Sequence, residues 1–268
     1  MSEYYELDSG LLIPEGEAVR RKLAGTRPKC VDLFCGCGGF SLGMIQAGWE
    51  VLAGVDNDVC AAQTYMVNLG TYPCRFHFGT EADARRMEKS LSKQFRKKGE
   101  QMEIFDVAGS GYLSSHPDVP GVGHFFFGDI TQIKGSDILG ALGLEVGELD
   151  GVVGSPPCQG FSRANSKSGP DDPRNQLVWE FARLVCEMQP KAMILENVPQ
   201  FATMTTPEGL LVIDVFTRIL EDGNFAGADA LRAAMKHQLG VTIQRSKKKA
   251  NRVDKRRQRK RKGKRKTA

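Results

Sequence analysis

The sequence contains no uninterrupted apolar run near the roughly 18 residues that a membrane-crossing helix needs, so no spanning helix is expected. Its opening stretch, MSEYYELDSGLLIPEGE, is acidic and lacks a basic n-region, so no secretory signal is read there. Beside the CGC of residues 35–37 there is no CxxC pair and no pair of histidines. Tetrahedral zinc takes four such ligands, so no metal site is expected. Seven cysteines, an odd number in a chain of 268 residues, argue against a disulfide framework and for a reducing, cytoplasmic (intracellular) setting. No internal repeat is visible.

Charge, by contrast, is abundant and unevenly divided. Residues 245–268 carry 15 Lys or Arg against the single acid Asp254, whereas residues 1–244 carry 22 basic and 31 acidic side chains. The body is acidic and the tail intensely basic. A run such as KRRQRKRKGKRK cannot bury a core and is expected to be disordered. It would hold a phosphate backbone without reading sequence and in a salt-dependent way. A solubilising tail and a frameshifted end are the other readings of it.

Residues 1–28 read as a leader with a short helical patch, GEAVRRKLAG. From there to 244 runs one α/β domain. KCVDLF is a strand stopped by glycines, GCGGFSLGMIQAGW a Gly-rich turn and helix, EVLAGVD a strand ending in an acid, and NDVCAAQTYMVNLG a helix with Gly70 as its C-cap. Strand, helix, strand, helix argues for a parallel sheet. Residues 79–120 change character, with a polar helix and a loop, and read as an insertion at the sheet edge. HFFFGDI is an aromatic strand ending at Asp129. ELDGVVGSPP is a short apolar strand, NQLVWEFARLVCEMQ a helix, and PKAMILENVP a buried strand ending at Glu196. Residues 207–240 read as one or two helices.

These strands end in polar or reactive groups: Asp32 to Gly36, Asp56, Asp129, Cys158 and Glu196. Ligands of open α/β sheets bind beyond the carboxyl ends of the strands, so these residues are expected along one rim. Gly36, Gly38 and Gly39 let a backbone approach a ligand closely at a helix N-terminus, or they make a tight turn and nothing more. An acid at Asp56, ending the next strand, commonly takes the hydroxyls of a ribose. That pairing points to a nucleoside-bearing cofactor without a dinucleotide's pyrophosphate. Asp129 is a site residue or a helix N-cap. Glu196 follows an apolar segment, where a carboxyl is favoured in its neutral form and can donate a proton; alternatively it caps backbone N–H groups.

VDLFCGCGGFSLGMIQAGW, GVDND, GDI, GSPPCQGFS and LENVP occur in the order and spacing of the DNA cytosine-5 methyltransferase family, and the chain resembles that family over roughly residues 29–200. The resemblance implies a Rossmann-like methyltransferase fold that uses S-adenosyl-L-methionine, a mostly parallel sheet with helices on both faces, incomplete toward its C-terminal end. It implies that Cys158 is the nucleophile that adds to C6 of cytosine, that Glu196 holds the N3 edge and supplies a proton, and that Asn197 orients that loop. Phe34, Gly36, Gly38 and Gly39 match positions that wrap the methionine part of the cofactor. Asp56 matches the ribose acid, and Asp129 with Ile130 the adenine pocket. Pro157, Gln159 and Ser162 lie on the loop that meets DNA, and the target cytosine would be flipped out of the duplex. The family's aromatic after the ribose acid is here Asn57.

The resemblance lapses beyond LENVP. The family's Gln-x-Arg-x-Arg strand is matched only by Gln244-Arg245, with Ser246 and Lys248 at the arginine positions. The 72 residues after Glu196 leave no room for a target recognition domain. One expectation is a split enzyme whose second chain brings that part. The others are a catalytically inactive, nucleic-acid-binding remnant, an enzyme of low specificity working alone, and a relative acting on RNA.

Overall fold

The computed structural model describes residues 4–6, 12–14, 27–94, 96–97, 100–101, 108–116, 119–157, 176–198, 201, 203–206 and 208–233. Its centre is a six-stranded sheet in which every pairing is parallel. The strands are β1 (Lys29–Leu33), β2 (Glu50–Asp56), β3 (Gly70–Phe78), β4 (Val122–Phe127), β5 (Gly151–Gly154) and β6 (Ala192–Leu195), in the order β6-β5-β1-β2-β4-β3. From β1 the chain runs to β2, on to the edge strand β3 and back to β4 between them, and then crosses to the other side of β1 at β5, so the strand order switches direction at β1. That is where open sheets of this kind form a ligand crevice.

Among the described residues six α-helices cover the sheet: α1 (Gly39–Gln46), α2 (Val59–Leu69), α3 (Glu81–Gln94), α4 (Gly135–Leu142), α5 (Leu177–Met188) and α6 (Val212–Asp222). Side chains alternate across the strands, with β2 shifted in phase by an irregularity where Cys30 and Val31 pair with Val51 and Ala53, and the core divides accordingly. Cys30, Val51, Phe125 and Phe127 face Met44, Ile45, Tyr65, Met66 and Met87 of α1–α3. Val31, Leu33, Val55, Phe126 and Val152 face Ile138, Phe181, Val185, Phe216 and Leu220 of α4–α6. The expected parallel sheet with helices on both faces is the observed one.

Local chemistry fixes several boundaries. Asp58 caps α2, its carboxylate accepting the Ala61 N–H at 2.8 Å. Gly70 stands at the C-cap of α2, but in an extended conformation rather than a left-handed one, because the chain passes directly into β3. α5 ends on Gln189 at φ 47°, whose side-chain amide donates to the carbonyls of Cys186 and Gly223 and joins the ends of α5 and α6.

Three expectations need correction or extension. Strand β3 was not anticipated; it forms the sheet edge beyond β4, with Phe76 and Phe78 on the α2 side and His77 on the other. The segment before Glu196 was expected to be buried, yet β6 is the opposite edge strand, and Ile194 is 47% exposed. It pairs with β5 on one side, and no described strand pairs with the other. Asp32, expected on the rim, points into the protein beneath α1 and is fully buried. The leader patch at 16–25 and the tail from 245 lie outside the described residues. Among the described residues no helix is long and apolar enough to cross a membrane, and no cluster of three metal-ligating side chains occurs.

Candidate active site

The rim is built at the carboxyl ends of β1 and β2. The chain leaves β1 through Phe34, which takes a left-handed conformation (φ 59°) that is uncommon for a non-glycine residue. Cys35 N–H then donates to the Val55 carbonyl at 3.1 Å, and Gly36 N–H to the Asp56 carboxylate (Oδ2) at 2.8 Å. The turn and the acid, predicted separately, are thus bonded to each other. The other Asp56 oxygen accepts the Asp58 N–H at 2.8 Å. Each carboxylate oxygen has a second lone pair, which leaves acceptor capacity for two further donors.

The three glycines of the turn do different things. A Cβ on Gly36 or Gly39 would meet nothing within 4 Å, so both face open space that a ligand can fill. A Cβ on Gly38, at φ 94°, would lie 2.7 Å from Leu69 Cδ1 and 2.9 Å from Tyr65 Cδ2. Gly38 therefore seats the turn on α2. This geometry fits a nucleoside-bearing cofactor: a backbone cradle at Gly36 and Gly39 beside an acid with free lone pairs.

Beneath the cradle lies a buried polar chain that sequence reasoning missed. Asp32 Oδ2 accepts the Ser41 hydroxyl at 2.6 Å, and Ser41 Oγ is 2.7 Å from the Tyr65 hydroxyl. Asp32 Oδ1 has no partner among the described residues. Burial, partly offset by the Ser41 hydrogen bond and reinforced by the Asp56 charge, raises the Asp32 carboxyl to about 7. Burial likewise pushes the Cys35 thiol and the Tyr65 hydroxyl well above their ordinary ranges.

At the end of β4, Asp129 accepts the Thr131 N–H at 3.0 Å and so caps the short 3-10 turn Ile130–Gln132. Ile130 is buried in the core on the α4–α6 side. Its carbonyl and that of Ile133 each accept from Arg183 Nη2 of α5 at 3.0 Å. Arg183 is held in turn by Glu180 and Glu187, each at 2.7 Å. The sequence signal for this clamp was an arginine placed i+3 from one glutamate and i−4 from another on an amphipathic helix.

At the ends of β5 and β6, Ser155 N–H donates to the Leu33 carbonyl and Glu196 N–H to the Gly154 carbonyl. Asn197 Nδ2 donates to the Pro156 carbonyl at 3.3 Å, joining the two strand ends. The Glu196 side chain is exposed rather than walled by apolar groups, because β6 is an edge. Pro157 is half-buried. Cys158, Gln159 and Ser162 lie outside the described residues.

The sheet order and the turn bonded to an acid across adjacent strand ends define a Rossmann-like α/β protein of the methyltransferase type. The chain belongs to the C-5 cytosine-specific DNA methylase family, whose model matches residues 28–94 and 119–227. It is 28% identical over 213 residues to the type II methyltransferase M.AquIA of Picosynechococcus sp., covering 80% of this chain and 64% of that one. It is 29% identical over 185 residues to the type II methyltransferase M.DdeI of Desulfomicrobium norvegicum, covering 69% of this chain and 31% of the relative. The chain thus spans less than two thirds of the length of these relatives. Among solved structures, a prophage-encoded DNA modification methyltransferase (E. coli) superposes with a TM-score of 0.43 at 25% identity over 73% of this chain and 38% of that one.

Proposed function

We propose that the protein is a DNA cytosine-5 methyltransferase that uses S-adenosyl-L-methionine and a covalent Cys158 adduct. The observation that carries this reading is the Gly36–Asp56 bond beside the open faces of Gly36 and Gly39, in a chain of this family. The cofactor, when bound, supplies an electrophilic methyl group on a sulfonium. Asp56 would accept the ribose hydroxyls, Gly36 and Gly39 would let the methionine part approach the backbone beside Phe34, and Asp129 and Ile130 would border the adenine.

The remaining chemistry belongs to the chain's own side chains. The Cys158 thiolate adds to C6 of an extruded cytosine, and C5 becomes electron-rich enough to accept a methyl group. Glu196 donates a proton toward N3 as negative charge builds there. After a base removes the C5 proton, the C6–sulfur bond breaks, the thiolate leaves, and N3 returns its proton to Glu196. Pro157, Gln159 and Ser162 meet the DNA, and Asn197 holds the nucleophile loop through Pro156. The open side of β6 is read as the seat of a further strand, carried by more of this chain or by a second polypeptide that also brings target recognition. Exposed Ile194 on that edge supports this part of the reading.

The test is methyl transfer from labelled S-adenosyl-L-methionine to cytosine-containing duplex DNA, with and without any polypeptide encoded beside this one. Tritium in DNA is expected with the wild type and none with Cys158→Ser. A folded protein that transfers nothing in either mixture overturns the proposal, and labelling of tRNA in place of DNA overturns its substrate.

A further inference from the structure

Helix α3 lies in the segment read from sequence as an insertion, yet one of its side chains reaches the rim. Arg86 Nη2 donates to the backbone carbonyl of Asn57 at 3.0 Å, immediately after Asp56, and to Asp83 Oδ1 at 3.2 Å. Its guanidinium carbon stands 4.8 Å from the centroid of the Phe127 ring. Phe127 is the buried last residue of β4, two residues before Asp129. The second Asp83 oxygen accepts the Thr80 hydroxyl at 2.7 Å, just beyond the end of β3. One guanidinium therefore ties together the ends of β2, β4 and β3.

We propose that Arg86 is a positioning residue of the cofactor site, fixing the Asp56–Asp58 turn so that the Asp56 carboxylate stays aimed at the ribose. This rests on the reading that the site takes S-adenosyl-L-methionine. A half-exposed Arg–Asp pair alone would carry little. What distinguishes Arg86 is that one planar group donates from its edge to a main-chain carbonyl and to Asp83 while it stands against the Phe127 ring, a set of contacts that the compact ammonium of lysine matches less well. Asp56 is already held by Gly36 on one side. Arg86 holds the same turn from the other, so the carboxylate is braced before the ligand arrives. Preorganisation of this kind acts on affinity.

The test is the dissociation constant of the full chain for S-adenosyl-L-methionine, measured by titration calorimetry. Arg86→Ala is expected to weaken binding about tenfold, the loss of one charged hydrogen bond and its bracing. Arg86→Lys keeps the charge without the fork and is expected to recover part of that loss. Arg85→Ala, one residue away in an exposed pair with Glu81, should leave affinity unchanged. The fold loss should be the same for 5′-methylthioadenosine, which keeps adenine and ribose but lacks the amino-acid end; a loss confined to S-adenosyl-L-methionine overturns the assignment to the ribose side. If Arg86→Ala fails to fold, Arg86→Lys at wild-type affinity still overturns the assignment. Wild-type affinity in a folded Arg86→Ala, or an equal loss in Arg85→Ala, overturns this inference alone. A folded wild type that binds no S-adenosyl-L-methionine overturns the cofactor reading and this inference with it.

Discussion

Asp32 makes the stability of the protein depend on pH in an unusual direction. Most carboxylates are more acidic in the folded state and destabilise the fold when pH falls. Asp32 is fully buried, and its carboxylate is held by the Ser41 hydroxyl and the Ser41 backbone. Its carboxyl is raised from the ordinary 3.8 to about 7, mainly by burial. Between those values the folded state binds more protons than the unfolded chain, so stability falls as pH rises. The contribution is fully present below about 3.8 and is gone once pH has passed about 7. The whole span corresponds to about 4 kcal/mol, and the part between pH 5 and pH 8 to about 2–3 kcal/mol.

Asp32→Asn mimics the protonated carboxyl and cannot titrate. Thermal unfolding of both proteins at pH 5 and pH 8 isolates the effect, because every other titrating group is shared. The gap between them should move in favour of the variant by about 2–3 kcal/mol from pH 5 to pH 8, or roughly 5–10 °C for a domain of this size. Parallel curves over that range would refute the claim that burial raises the Asp32 carboxyl toward 7 in the fold. Because Ser41 opens α1 and Tyr65 anchors α2, ionisation of Asp32 is expected to loosen the floor of the cofactor cradle.

The glycines of the turn should respond oppositely to a methyl group. Gly38→Ala sets a Cβ against Leu69 and Tyr65 at a positive φ, and an unfolding measurement should find a loss of about 2–4 kcal/mol. Gly39→Ala faces open space and should leave thermal stability unchanged while weakening S-adenosyl-L-methionine binding by calorimetry. At the β3 edge, His77 Nε2 lies 3.0 Å from His124 Nδ1, a contact that requires one ring to offer a lone pair. Burial depresses both imidazoles, with Arg75 adding to each and His77 to His124. Their stabilising share is present above the ordinary 6.5 and lost as pH falls below it, so His77→Asn should flatten the melting-temperature loss seen between pH 6.5 and pH 5.

Glycine punctuation and apolar alternation made β1, α1, β2 and α2 legible, and with them the Gly36–Asp56 corner, because strand ends of a parallel sheet must meet on one rim. The parts that were not legible depend on what lies next to what. An apolar strand such as 192–195 reads as buried whether or not a neighbour covers it, and only the strand order reveals that β6 is an edge. Pro73 and the alternating Arg75 and His77 hid β3, since a central strand would bear neither. Asp32 sits in phase with Cys30 and so faces the helices, but its partnership with Ser41 and Tyr65 joins two helical phases that no spacing rule connects. Arg86 is the sharper case. A polar helix such as EADARRMEKSLSKQ advertises a solvated surface, and most of its charges meet that description. What singles out Arg86 is a carbonyl 29 residues away at the tip of a neighbouring strand. That contact exists because β3 carries the chain to the far edge of the sheet and α3 returns it past the end of β4. A segment with no motif can thus brace a motif-bearing turn, and the brace becomes visible only once the strand order is known.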